Sequence, residues 1–335
     1  MADSSNQGSV INWAFVGTGG ITNAFITGLK AVPGAKRVAV ASRSKENGEA
    51  FAARHGVEKC FTNFDELLKD ASIDAVYIGT PHVFHKDIAL KAIRAKKAVL
   101  CEKPVTINAG EFAELITAAR ENKVFFMEAM WNRFVPPFVK VREWLALGMI
   151  GEVKRVQANF DFSIGWDPAG RLLNKALGGG ALLDAGVYPL SLASLAFGGK
   201  RPEKVLSQIY LGETGVDEEF EGIVSYGGNH LASVSAAIRT QMVNDGWIYG
   251  TEGRIHIPDF VFAHSANLTI YGKSTYHYEP EFLSNGYNYE VEEVNRCIRE
   301  GQMESKVVPL AESLIIMETM DQIRVQGGLR YPLEK

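Results

Sequence analysis

Residues Val10 to Arg43 read VINWAFVGTGGITNAFITGLKAVPGAKRVAVASR: an apolar run, a glycine cluster, a helix-like segment, a Pro-Gly break and a second apolar run. That order spells strand, tight turn, helix, turn, strand. A helix opening directly after Gly17, Gly19 and Gly20 aims its unpaired N–H groups and the positive end of its dipole at whatever occupies the turn. An anion such as a pyrophosphate fits there, and glycines let the backbone approach it without a Cβ in the way. The third glycine of a G-x-G-x-x-G pattern would fall on residue 22, which is Thr22. Glycine turns of other kinds share such a pattern, and the βαβ-length setting is what singles out the dinucleotide reading, with Ile21 as the neighbour that opens the helix.

The end of the second run addresses which dinucleotide is held. An acidic residue there would accept hydrogen bonds from a ribose 2′-OH and repel a 2′-phosphate. The chain places Ser42, Arg43, Ser44 and Lys45 at that point. Hydroxyls and a guanidinium bind phosphate, which favours NADP over NAD. If Arg43 is only a solvated charge at a strand end, the preference stays open.

The rest of the first 129 residues repeats the alternation, with apolar runs IDAVYIGTP, AVLCEKPV and VFFMEAMW separated by helix-like segments. This predicts an open, mostly parallel, doubly wound sheet, with ligands beyond the carboxyl ends of its strands. Those ends carry Gly17 to Gly20, Ser42 and Arg43, Gly79 to His82 with Thr80, Glu102 to Pro104, and Glu128 to Arg133. Near residue 130 the grammar changes. A helix over Pro137 to Leu147, a glycine-led apolar segment LGGGALLDAGVYPLSLASLAFGG and a series of neighbouring strand-like runs follow, and two helices close the chain. Two domains are expected, 1–129 for a dinucleotide and 130–335 for substrate, the second an α+β domain with a largely antiparallel open sheet.

The 335 residues suffice for two cores, and 46% hydrophobic with 22% charged content excludes wholesale disorder. A net charge of −4 leaves no global basic footprint for nucleic acid. No apolar run approaches the length of a membrane span, and the start MADSSNQGSV lacks the pattern of a signal peptide. Cys60, Cys101 and Cys297 are odd in number and far apart, which points to a cytoplasmic protein with reduced thiols.

Moving hydride to or from a C–OH also requires a place for the hydroxyl proton. A phenol with its pKa near 10 serves at neutral pH only with a cation close by. Lys103, in CEKPV, follows a strand at the functional edge of the sheet; a surface lysine is the commoner fate, but the place between Glu102 and Pro104 favours a catalytic role. Asp184 and Tyr188, four apart in the glycine-led segment, share a face if that segment is helical, and Pro189 predicts a kink or helix start nearby. Glycines 178–180 would permit close approach to a ligand or to the first domain. His82 and His85 are three apart without a third ligand of motif-like spacing, so packing or cofactor contact is favoured over metal. Cys101 in an apolar strand reads as a small buried hydrophobe, while Trp131 and Arg133 divide between cleft and structure.

The blocks GTGGIT, YIGTPHVFHK, AVLCEKPV, MEAMWNRFVP, GGGALLDAGVYPL, ETGVDEEF and VPLAES together resemble the glucose-fructose oxidoreductase, inositol dehydrogenase and MocA family (Gfo/Idh/MocA). They are most similar to its dimeric dihydrodiol dehydrogenase branch, which also oxidises D-xylose with NADP. The resemblance implies a Rossmann domain followed by a domain whose open sheet makes dimer contacts. It carries over Lys103 as the catalytic lysine, Tyr188 as the general acid-base and Asp184 as the aspartate beside them. It makes Arg43 the reader of the 2′-phosphate, places His82 and His85 on the nicotinamide side, and lines the substrate cleft with Trp131, Arg133 and Arg171. It also implies a cis peptide at Lys103-Pro104. The expected function is an NADP-dependent dehydrogenase acting on a sugar or trans-dihydrodiol. The alternatives are an inositol or other polyol dehydrogenase or reductase of the same family, and a non-catalytic NADP-sensing regulator.

Overall fold

The computed structural model describes residues 9–332 and 334; the polar start, residues 1–8, lies outside them. The chain forms two compact units. In the first, β1 (Ile11–Val16), β2 (Ala35–Ala41), β3 (Lys59–Phe61), β4 (Ala75–Ile78), β5 (Ala98–Glu102) and β6 (Phe126–Ala129) make one parallel sheet in the order β3-β2-β1-β4-β5-β6. The order reverses between β1 and β4, which opens the crevice where such sheets take ligands. Helices α1 (Gly20–Leu29), α2 (Lys45–His55), α3 (Phe64–Leu68), α4 (His85–Arg94) and α5 (Ala109–Asn122) connect the strands. Their continuous apolar runs are buried, with Phe25 stacked on Tyr77 at 3.7 Å between ring centroids.

The second unit begins with α6 (Pro136–Ala146) and β7 (Val153–Asp161), followed after a long loop by a π-helical turn, Leu182–Gly186, that runs into α7 (Val187–Ala196). Then come β8 (Lys204–Leu211), β9 (Asp217–Ser225), β10 (Leu231–Ala237), β11 (Gly246–Gly250), β12 (Gly253–Ile257), β13 (Ala266–Ile270) and β14 (Thr275–Tyr278). They form an eight-stranded sheet in the order β14-β13-β12-β11-β7-β10-β9-β8, antiparallel except for the β7–β10 pair. The expected largely antiparallel sheet is therefore present. Lys175–Ala196 is long and apolar enough to cross a membrane, but 89% of its most apolar window is buried inside the fold, the signature of a core helix.

The chain ends with α8 (Tyr287–Arg299) and α9 (Leu310–Gln326). The division read from sequence placed everything after residue 129 in the second domain. Among the described residues, 9–106, 110–134 and 282–310 make the first unit, and 107–109, 135–281 and 311–332 with 334 the second. Hydrogen bonds from α8 and the residues before it hold this return: Trp13 of β1 donates from its indole to Asn295 at 3.0 Å, and Asn285 donates to the Ala24 carbonyl of α1 at 2.8 Å. Gly28 of α1 is glycine because a methyl there would meet the Asn288 amide at 2.7 Å.

Candidate active site

The glycine turn delivers what its sequence promised. Gly17 takes φ +96°, where a side chain is strained, and a methyl on it would sit 2.8 Å from the Gly79 carbonyl of the neighbouring strand. Gly19 and Gly20 face open space, with nothing within 4 Å of a Cβ built on either. Helix α1 starts at Gly20 without a side-chain cap and without an acid in its first turn, so its amides stay available to an anion. Beside it lies a cleft of about 440 Å³ lined by Gly17, Thr18, Gly19, Ser42, Arg43, Ser44, Thr80 and Phe84 among others, none of them acidic. The Thr80 hydroxyl is buried with no hydrogen-bond partner among the described residues. An open backbone cradle, an uncapped helix and a carboxylate-free wall fit a dinucleotide phosphate.

At the next strand ends the chain forms a second cluster. The Lys103-Pro104 peptide is cis, as the resemblance implied. Glu102 is buried, takes a hydrogen bond from Tyr77 Oη at 2.6 Å and accepts the Lys103 amide at 3.3 Å. His85 is fully buried, with its ring nitrogens 2.7 Å from the Thr80 carbonyl and 3.0 Å from the Pro104 carbonyl. Burial pushes it down to about 4, against the pull of those carbonyls, so at neutral pH the uncharged ring, with a single N–H, donates to one of the two. His82 is buried edge-on to it at 5.8 Å. Among the described residues no group of three or more metal-binding side chains occurs.

Trp131 and Arg133 sit in a 3-10 turn, Trp131–Arg133, directly after β6. Trp131 stacks on Tyr287 at 4.8 Å, and Arg133 is buried, donating to the Val307 carbonyl at 3.3 Å. Cys101 is wholly buried and its thiol is pushed well above the ordinary range by that burial, which suits the hydrophobe reading and not a nucleophile.

In the second unit, Asp184 lies in the π-helical turn and accepts Arg171 Nη1 at 2.9 Å, so two expected site residues form one ion pair. Tyr188 is the second residue of α7, buried and packed edge-on against Phe160 at 5.5 Å. Pro189 lacks an N–H for the carbonyl four residues back, and the wider π turn immediately before α7 is the expected kink or helix start. The glycines before it do not stand open. A methyl on Gly179 would meet the Leu172 carbonyl at 2.5 Å, and one on Gly180 would collide with Asp217 Oδ1. At these two glycines the space is filled by atoms of the second unit itself.

Several residues escaped the sequence reading. Phe84 carries the Arg43 guanidinium 5.5 Å over its ring and lines the cleft, yet reads as one more apolar residue of a helix. Tyr77 and Glu290 escaped as well. Glu290, on α8, is fully buried with no partner for either oxygen among the described residues, and burial next to Glu102 pushes it well above the carboxylate range. The signal available was YNYEVEEV, whose acids look alike until the buried face of the helix is known.

Residues 11–130 match the oxidoreductase family with an NAD-binding Rossmann fold, and residues 138–256 match the Gfo/Idh/MocA C-terminal domain. The chain is 39% identical over 329 residues to a trans-1,2-dihydrobenzene-1,2-diol dehydrogenase from Xenopus laevis, covering 96% of this chain and 99% of that protein. It is 36% identical over 335 residues to the enzyme of that name from Mus musculus, covering 97% and 99%. In fold it is similar to an aldose-aldose oxidoreductase from Caulobacter crescentus complexed with glycerol, with a TM-score of 0.86 at 22% identity over 94% of this chain and 97% of that one. A 3-ketoreductase from Actinomadura kijaniata in complex with NADP and TDP-benzene gives 0.84 at 22% identity, over 95% and 98%. Near-complete coverage at such identity, on a glycine cradle of this geometry, makes the chain a member of the Gfo/Idh/MocA oxidoreductase family and an NAD(P)-dependent dehydrogenase.

Proposed function

We propose that this dehydrogenase uses NADP in preference to NAD and oxidises a CH–OH of a sugar or a trans-dihydrodiol in the cytoplasm. The observation that carries the cofactor choice is Arg43: its guanidinium lies over Phe84 in a cleft none of whose lining residues is acidic. A 2′-phosphate meets a cation and the Ser42 and Ser44 hydroxyls there, whereas NAD gains nothing from the charge. Gly17, Gly19, Gly20 and Ile21 would hold the pyrophosphate, with Thr80, His82, His85, Glu102 and Trp131 on the nicotinamide side. When bound, the nicotinamide supplies the hydride acceptor.

The substrate class follows the names of the full-length relatives. Tyr188 takes the hydroxyl proton, the Lys103 ammonium favours the phenolate and polarises the reacting oxygen, and Asp184 orients them. Arg171, paired to Asp184, and Arg133 and Trp131 bound the substrate. Dimerisation through the second unit's sheet is supported by the outer face of β8 and β9, where Leu206 and Ile223 pair across the strands and stay 52% and 50% exposed, with Tyr210 beyond them.

A panel of D-xylose, a trans-dihydrodiol, inositol and ketoses, run with either cofactor and read by NADPH absorbance, tests the reading. Lys103→Met is expected to lower kcat by about 10²- to 10⁴-fold while NADP still binds. Unchanged turnover removes Lys103 from the chemistry. Tight NADP binding with no turnover of any substrate favours a regulator.

A further inference from the structure

Asp217 belongs to a motif, ETGVDEEF, that the catalytic reading leaves without a role. It is the first residue of β9 and is fully buried. Its Oδ2 accepts the Leu182 amide at 2.6 Å, at the start of the turn that holds Asp184 and leads into Tyr188. Among the described residues Oδ1 has no hydrogen-bond partner, and it lies where a methyl on Gly180 would be. Gly180 holds φ +126°, a conformation side chains rarely adopt, and the Tyr331 hydroxyl closes the same spot by donating to the Gly179 carbonyl at 2.8 Å. The acid therefore occupies the space the glycines leave and anchors the first amide of the helical segment.

We propose that Asp217 is a positioning residue: its carboxylate seats the turn that presents Asp184 and Tyr188, and its state of protonation sets how firmly that turn is held. An ionised acceptor makes the stronger bond to an amide and interacts favourably with the start of a helix. Protonation weakens both. Burial pushes the Asp217 carboxyl up to about 7, against the Leu182 and Ala181 amides and the Arg324 charge, so the change falls in the neutral range.

The groups around it fit a single titration. Arg324, on α9, is already held by Asp321 at 2.6 Å and Glu334 at 2.7 Å. The Tyr331 phenol, raised well above its ordinary range by burial, stays neutral and feels Asp217, Arg324, Glu334 and Asp184. Glu218, the next residue on β9, is 3.8 Å from Arg239.

The proposal rests on Tyr188 and Asp184 acting in the reaction, and the test separates the two claims. In the intact protein, Asp217→Asn keeps an oxygen for the Leu182 amide but does not titrate, whereas Asp217→Ala keeps neither. Turnover of the wild type should rise through a pKa near 7, and Asp217→Asn should lose that step while keeping KM and staying within about tenfold in kcat. Asp217→Ala should fall about a hundredfold, the effect of a displaced reacting group. Independently of activity, hydrogen exchange of the Leu182 amide, corrected for its intrinsic pH dependence, should quicken as the wild type is taken from pH 8 to pH 6, because protonation weakens that one bond while the carboxyl stays buried, and should stay level in Asp217→Asn. Superimposable pH profiles of wild type and Asp217→Asn, wild-type turnover in Asp217→Ala, or pH-independent exchange in the wild type would each overturn the proposal. If Asp217→Ala does not fold, the Asn variant and the exchange data decide. A wild type with no turnover sinks the enzymatic reading, and the exchange comparison still tests the seat.

Discussion

Two helical segments in this molecule begin with a glycine cluster, one in each unit, and they use their glycines in opposite ways. At Gly19 and Gly20 the missing side chains leave empty space, and α1 starts with no cap and no acid. At Gly179 and Gly180 the missing side chains leave room for the Leu172 carbonyl and for Asp217, and the amide of Leu182 is taken by that acid. The first start is held open for an anion from outside. The second has an anion supplied by the chain itself. A glycine-rich turn therefore marks a place where something approaches the backbone closely, and only the packing says whether that something is ligand or protein.

Substituting the two clusters should break the symmetry between them. The largest effect is expected at the filled turn. Gly180→Ala forces a side chain into φ +126° and into Asp217, and should destabilise the second unit by about 3 kcal/mol, measured as a lower urea midpoint without cofactor. At the open turn, Gly19→Ala meets no protein atom, and its backbone, at φ −74°, suits any residue. Its stability without cofactor should stay within about 0.5 kcal/mol of wild type. Its Kd for NADP, by calorimetric titration, should rise by about tenfold, equivalent to about 1.4 kcal/mol. A Gly19→Ala protein that melts early but binds NADP normally would reverse the assignment of the two turns.

The first unit was legible because its signals are local. Continuous apolar strands, glycine and Pro-Gly punctuation, and Ser42-Arg43 at a strand end all act within a few residues, and the strand order and cleft match that reading. What sequence missed depends on partners far away in the chain. The return of α8 to the first unit rests on Trp13 meeting Asn295, residues 282 positions apart. Glu290 is one of several acids on an amphipathic helix until α8 is packed, and only then does it lack a partner. What faces Gly180 was hidden for the same reason: the Asp217 carboxylate lies 37 residues further along the chain, on β9.

A smaller effect would sharpen the comparison, because the open turn also has a titratable group behind it. His55, in the last turn of α2, lies 2.7 Å from Asn23 Oδ1 through Nε2, and Asn23 in turn donates to the Gly19 carbonyl at 2.7 Å. Lys30 Nζ stands 3.3 Å from His55 Nδ1, an arrangement that requires Nδ1 without a proton and Nε2 donating to Asn23. Burial, followed by the charges of Lys30, Arg54 and Arg37, lowers His55 from its ordinary 6.5. A base held below its unfolded pKa contributes stability that is complete above 6.5 and is lost as pH falls through the folded value. Acid should therefore loosen the open turn, whereas at the filled turn protonation of Asp217 weakens only its bond to the Leu182 amide, since a carboxyl raised by burial adds stability to its unit as pH falls. His55→Gln preserves a donor to Asn23 without titrating, and His55→Phe should cost about 1 kcal/mol through the lost hydrogen bond. The 2′-phosphate of NADP titrates equally with wild type and His55→Gln, so the difference in their binding between pH 7.5 and pH 5.5 isolates the histidine. Wild-type affinity should fall further than that of the variant, and equal slopes would show that the open turn does not depend on His55.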